Sequence, residues 1–214
     1  MRIKQGEAIV QQIRMLKRRR LIAGLVAVAS MTQLRFVAAQ TAPSAAFRFN
    51  GADYLFRWTN DKLFEFTPPG QTDLDHWTEM VSVVAYRDIK TADDLAAQAN
   101  GVLEGNKSRG SVVLKTNSVP MTSDRPAEHF LASMMAGPGV VEGVFTRFVL
   151  VGGMGYALIF SHRVYGADLH DTAQLLGAWE NAHGPDTERA LMNFAPVPTL
   201  SMLEKWKSAG PSKV

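Results

Sequence analysis

Three long apolar segments follow one another with almost nothing between them: "HFLASMMAG" (129–137), "VVEGVFTRFVLVGG" (140–153) and "MGYALIFSHRVYG" (154–166). They are rich in β-branched and aromatic residues, and Gly137, Gly139, Gly152, Gly153 and Gly155 mark the turns that join them. Connections this short join antiparallel neighbours, because a parallel pair needs a crossover of a dozen residues or more. The three segments therefore read as central strands of one antiparallel sheet, around which the rest of the chain has to be arranged.

Ahead of them, "FRFNGADYLFRWTNDKLFEFTPPG" alternates Tyr54, Phe56 and Trp58 with Leu55, Arg57 and Thr59, and Asn60-Asp61 predicts a turn into a second strand, Lys62 to Phe66. Thr72, with Asp75 three residues on, predicts a short helix carrying Leu74, Trp77 and Met80, followed by "VSVVAYR" as a strand. Thr91 and Asp94 repeat the capping pattern before a helical stripe of Leu95, Ala99, Val102 and Leu103, which Gly105 and Asn106 stop. "SVVLKTNSVPM" reads as a strand weakened at Pro120, hence near an edge or a bulge. Leu175, Leu176 and Trp179 predict a helix over 169–182, and Pro185-Asp186 opens another to Phe194. A Pro-rich link then leads to a short amphipathic segment with Leu200, Leu203 and Trp206. Strands and helices mix without strict β-α-β alternation, so the fold class is α+β: a mainly antiparallel sheet flanked by helices, in one domain over 47–194.

The first forty residues are of a different kind. A cationic cluster, Lys17 to Arg20, precedes an apolar run from Leu21 to Met31 and small residues at Val37, Ala38 and Ala39. That is the order of a secretory signal peptide, with cleavage after Ala39, Met15 as an alternative start, and residues 40–46 as a flexible lead-in. Thr32, Gln33 and Arg35 interrupt the run well short of the roughly 20 apolar residues that a membrane span needs. The leader holds 8 of the 23 basic and one of the 20 acidic residues, which leaves 15 against 19 and a net charge of −4 for the rest. The basic balance of the whole chain thus belongs to the leader and gives no support to nucleic-acid binding. The chain has no cysteine, which excludes thiol catalysis, a disulfide framework and a lipid-modified cysteine.

Motifs that carry chemistry are sparse. "VGGMGYA" has neither the spacing of a phosphate loop nor a helix after it, and a hairpin turn accounts for its glycines. His76, His129, His162, His170 and His183 show no short metal-ligand spacing, so no metal and no cofactor is predicted. No G-x-S-x-G elbow is present, and Ser161 and His162, adjacent on a strand, point to opposite faces. Asp73, Asp75 and Glu79 read as a solvated helix N-terminus. A weaker constellation is the series of cations on predicted strands: Arg48, Arg57, Arg87, Lys115, Arg147 and Arg163. If several share one sheet face they form an anion-binding surface, with Arg57, Arg147, His162 and Arg163 as candidate ligand-binding residues; otherwise they are outward residues paired with acids such as Glu65 or Glu142. Leu203 and Trp206 are candidates for docking a partner, set against packing on their own domain.

The order of elements resembles that of PsbP-like α/β/α sandwich domains: strands first, "GQTDLDHWTEMVSVVAYRD" as helix and strand, a second helix, then antiparallel strands closed by a long helix. The resemblance covers Ala46 to Phe194 and implies a small non-catalytic module attached to a larger membrane or envelope assembly. The expected function is accordingly an exported, non-catalytic binding or assembly module of a bacterial cell envelope, periplasmic or secreted, engaging an envelope protein or a small ligand. The alternatives are a small-ligand carrier and an enzyme, such as a hydrolase, whose site joins distant residues, for example His162 with a carboxylate.

The leader carries its own test. Chain recovered from its host's envelope fraction should begin at Gln40 by intact-mass measurement, and a mass beginning at Met1 or Met15 would remove the cleaved leader and favour an anchor.

Overall fold

A computed structural model describes residues 46–212, so the leader and its cleavage site lie outside the described residues. Eight strands form one sheet: β1 (Phe47–Phe49), β2 (Ala52–Thr59), β3 (Leu63–Thr67), β4 (Glu79–Tyr86), β5 (Val112–Val119), β6 (Glu128–Gly137), β7 (Val140–Val151) and β8 (Met154–Tyr165). The helices among the described residues are α1 (Ala92–Ser108), α2 (Leu169–Met192) and α3 (Leu200–Ala209). The fold is α+β. The sheet runs β1-β2-β3-β4-β8-β7-β6-β5, and every neighbouring pair is antiparallel.

That order follows from local connections. β1 to β4 form one meander and β5 to β8 a second, and the two join where β4 pairs with β8, from Glu79↔His162 to Tyr86↔Gly155. Gly152 and Gly153 close the β7–β8 turn with φ of 56° and 74°, as a two-residue hairpin turn requires. Asn50-Gly51 does the same for β1–β2, with φ of 45° and 84°. This Asn-Gly signal separates a short first strand that the alternation of Tyr54, Phe56 and Trp58 does not reveal. β5 lies at an edge and ends at Val119, just before Pro120.

Helices cover both faces. On one, α2 and α3 pack over Phe56, Phe66, Phe145, Tyr156 and Phe160, contributing Leu191 and Leu203. On the other, α1 sets Leu95 against Leu131, Phe148 and Ala157. The capping box at Thr91 and Asp94 forms as its spacing predicts, with the Asp94 amide donating to Thr91 Oγ1 at 3.1 Å and the Thr91 amide to Asp94 Oδ2 at 3.1 Å.

Three local expectations need correction. Residues 72–78 form no helix: the Asp73 carboxylate accepts from the Asp75 amide, and Gln71 Oε1 accepts from the amides of Thr78 and Glu79, so side chains take the donors that a helix would use. Met80 is instead a buried residue of β4. α1 runs past Gly105 to Ser108, because Asn106 turns inward and its amide donates to Ser133 Oγ at 3.2 Å. The two helices expected around Pro185 are one, since Pro185 lies on the exposed side, where water can satisfy the carbonyl one turn back.

Arg147 ties α2 to the sheet. Its Nε donates to Glu128 Oε2 at 2.7 Å, and its Nη1 donates to the carbonyls of Leu191 and Phe194 at 3.0 Å each, at the negative end of the helix. Both members of the pair are buried, at 7% and 3% exposure. Arg147→Met should lower the unfolding free energy in urea titration by about 3–5 kcal/mol, because it removes the buried partner of Glu128 and leaves that carboxylate only the half-exposed Arg125, at 3.3 Å. Adding Glu128→Gln should restore part of the loss, and a single-variant loss below about 1 kcal/mol would deny the pair this anchoring role.

Candidate functional site

A concave feature of the α2 face arises where β3 stops short along β4. Pairing of β3 with β4 stops at Phe66↔Val81, two residues short of Glu79. A cleft of about 310 Å³ opens there, bounded by Phe49, Asn50, Ala52 and Tyr54 of the first hairpin, Glu79 of β4, Phe160 of β8, and Trp179 and His183 of α2. Trp179 and His183 are four residues apart and so share one face of the helix. Strand alternation sets Glu79 and His162 on the same face, directly opposite each other in the β4–β8 pair.

Aromatic rings form a continuous wall. Phe49 packs against Phe160 at 5.5 Å between centroids, and Phe160 stacks on Trp179 at 6.2 Å. The imidazole of His162 lies flat on Trp179 at 4.0 Å with an interplanar angle of 5°. Tyr54 reaches across the gap in the sheet to donate to Glu79 Oε2 at 3.4 Å, and burial, reinforced by that carboxylate, raises the affinity of the phenol for its proton. The other oxygen, Glu79 Oε1, is 3.9 Å from His162 Nδ1, too far for a hydrogen bond.

Two groups beside the cleft titrate abnormally. Burial, with help from His183, pushes His162 down to about 4, so its ring is neutral at neutral pH. Burial pushes Glu180 up to about 7. Glu180 occupies a niche over β7 that exists because residue 143 is glycine: a Cβ there would come within 2.6 Å of Glu180 Oε1. His162 Nδ1 and Glu180 Oε1 are both shut off from solvent without a hydrogen-bond partner among the described residues.

The candidate cations are dispersed. Arg57 is held by Thr67 Oγ1 at 2.8 Å and by the carbonyls of Ser212 and Pro68. Arg147 is locked to Glu128 beneath the end of α2. Arg163 sits on the opposite face from His162, paired with Glu142 at 2.8 Å and stacked over Trp77 at 3.8 Å. None of the three lines the cleft, and of the candidate ligand-binding residues only His162 borders it, through Trp179. Leu203 is fully buried, and Trp206 meets Phe66 at 5.3 Å and Phe47 at 6.0 Å, so α3 packs on its own domain. Tyr54, Glu79, Trp179 and His183 are site residues that sequence reasoning missed. Trp179 and His183 at helical spacing were the readable part of that signal. Among the described residues, no group of three His, Asp or Glu side chains is placed to hold a metal.

No family model and no curated protein matches the chain. Among solved structures it is similar to PA94 of Pseudomonas aeruginosa, a protein of unknown function, at 14% identity over 66% of this chain and 88% of that one, with a TM-score of 0.42. It is similar to the Ran-binding protein Mog1p of Saccharomyces cerevisiae at 8% identity over 63% and 74%, with a TM-score of 0.33. Human STARD10 follows at 8% identity over 73% and 75%, with a TM-score of 0.29. Likenesses of this size assign neither family nor ligand.

The two shifted groups act on stability with opposite signs. Glu180 binds its proton more tightly when folded, so its contribution is present below about 4.5 and is lost as pH rises to about 7. His162 binds its proton less tightly when folded, so its contribution grows as pH rises from about 4 to about 6.5. Their effects oppose each other across the overlap. In urea titrations over this range, Glu180→Gln should steepen the rise of stability with pH relative to wild type, and an unchanged profile would mean that Glu180 is not held protonated.

Proposed function

We propose that this chain is an exported, non-catalytic binding module of a cell envelope, and that it holds a small ligand in the cleft between the first hairpin and α2. The observation that carries this reading is the cleft itself. It is concave and walled by aromatic rings, and it places one carboxylate, Glu79, at its polar end. Small-ligand sites commonly combine apolar walls with a few convergent polar groups, supplied here by Asn50, Glu79 and His183. Export rests on the leader, with its cationic cluster, short apolar run and small residues before Gln40. Among the described residues no helix is long and apolar enough to cross a membrane.

An enzymatic reading draws on one observation, the approach of His162 to Glu79 from 83 residues away in sequence. The geometry favours binding instead. The imidazole lies flat against Trp179, and its Nδ1 is buried without a hydroxyl partner among the described residues. Ser161 projects from the opposite face of β8. A docking role for α3 is likewise disfavoured, because Leu203 and Trp206 are turned onto the domain.

Native mass spectrometry of the chain purified gently from its host's envelope tests the reading. The expected spectrum has a low-mass adduct on the mature chain that is absent from a Trp179→Leu variant. A bound polypeptide without any small adduct would replace the ligand reading with the assembly-module reading.

A further inference from the structure

The lining of the cleft also indicates a class of ligand, an inference that rests on the cleft being the binding site. We propose that it takes an organic ammonium ion, with the charged nitrogen against the Glu79 carboxylate and an apolar body against Phe49, Phe160 and Trp179. The charge balance of the lining comes first. No Lys or Arg of the described residues borders the cleft. The arginines of the neighbouring strands are engaged elsewhere: Arg48 with the Gly51 carbonyl, Arg57 with Thr67, Arg147 with Glu128 and Arg163 with Glu142. An anionic ligand would therefore meet Glu79 with no guanidinium or ammonium group of the described residues to balance it and only His183 and the Asn50 amide beside it, whereas a cation completes an ion pair.

Glu79 is also positioned for that role. The Tyr54 hydroxyl fixes one of its oxygens, while the other faces His162 without a hydrogen bond and keeps acceptor capacity. Burial keeps His162 uncharged at neutral pH, so the histidine does not neutralise the carboxylate from within. The rings add a second attraction, since the π faces of Trp, Phe and Tyr favour a cation beside them, more strongly where water is excluded. At about 310 Å³ the cleft suits a compact molecule, one ring with a short amine arm.

Isothermal titration of the full chain with 2-phenylethylamine, 2-phenylethanol and 3-phenylpropanoate separates charge from shape. The amine should bind about tenfold or more tighter than the alcohol, and the carboxylate should bind least. Added salt should weaken the amine and leave the alcohol unchanged. Glu79→Gln should remove most of the preference while keeping the fold, because its amide carbonyl still accepts from Tyr54; Glu104→Gln, on the exposed side of α1, should keep the preference. Equal binding of amine and alcohol, or tighter binding of the carboxylate, would overturn the ligand class and leave the cleft as a binding site. Failure of all three probes, together with an adduct-free native mass, would overturn both.

Discussion

Pairing of Glu79–Tyr86 with Gly155–His162 joins two meanders that are otherwise built from neighbouring segments of chain. Each meander satisfies its own backbone locally through tight turns, but neither buries both faces until the seam closes. The seam is the long-range commitment of the fold, since β4 and β8 are separated by α1 and by three strands of the second meander. It also depends on a missing side chain. Gly155 donates its amide to the Ile89 carbonyl at 2.9 Å, and a Cβ at that position would come within 2.6 Å of the Ile89 side chain. Chain leaving β4 can therefore fold back over the seam and start α1 across the second meander.

The same seam places the cleft. β8 extends along β4 as far as Glu79, whereas β3 stops short, so one flank of Glu79 pairs with a strand and on the other its amide donates to the Gln71 side chain at 3.1 Å. An unfilled edge within a sheet exposes backbone and core unless something crosses it. Here the Asn50-Gly51 hairpin and the side chain of Tyr54 partly bridge the gap, and α2 roofs it with Trp179. Arg147 and Glu128 secure the far end of α2 by a buried ion pair, which fixes where that roof can lie. Geometry at the cleft is thus inherited from packing more than from contacts among the cleft residues.

Strand periodicity and glycine placement made most of the sheet legible: the three long segments, their turns, the edge position near Pro120 and the capping box at Thr91. What escaped was decided by side chains competing with backbone. The spacing of Thr72 and Asp75 is a genuine helix-start pattern, yet Asp73 and Gln71 claim the amides first. Pro185-Asp186 is a genuine helix-opening pattern, yet Pro185 lies inside one continuous helix and is tolerated because it faces water. The candidate site was less legible, because strand alternation separates Arg163 from His162 and register decides which acid each cation meets. No spacing in the sequence places Glu79 beside His162, and only the β4–β8 register does.

Burial gives neighbouring groups different charges within a few residues. Arg147 and Glu128 face each other at 2.7 Å, so desolvation is offset and the ion pair persists inside the fold. Glu180 and His162 have no such partner, and desolvation drives both toward their neutral forms. Glu79, at the mouth of the cleft with its side chain one-third exposed, keeps contact with solvent. A carboxylate held at the rim of an aromatic enclosure, next to groups that burial keeps uncharged, concentrates the negative field of the cleft on one residue. Selectivity by charge would then be a property of where the sheet ends, because β3 stops two residues short of Glu79, whose amide is taken by Gln71 while its carboxylate lines the cleft.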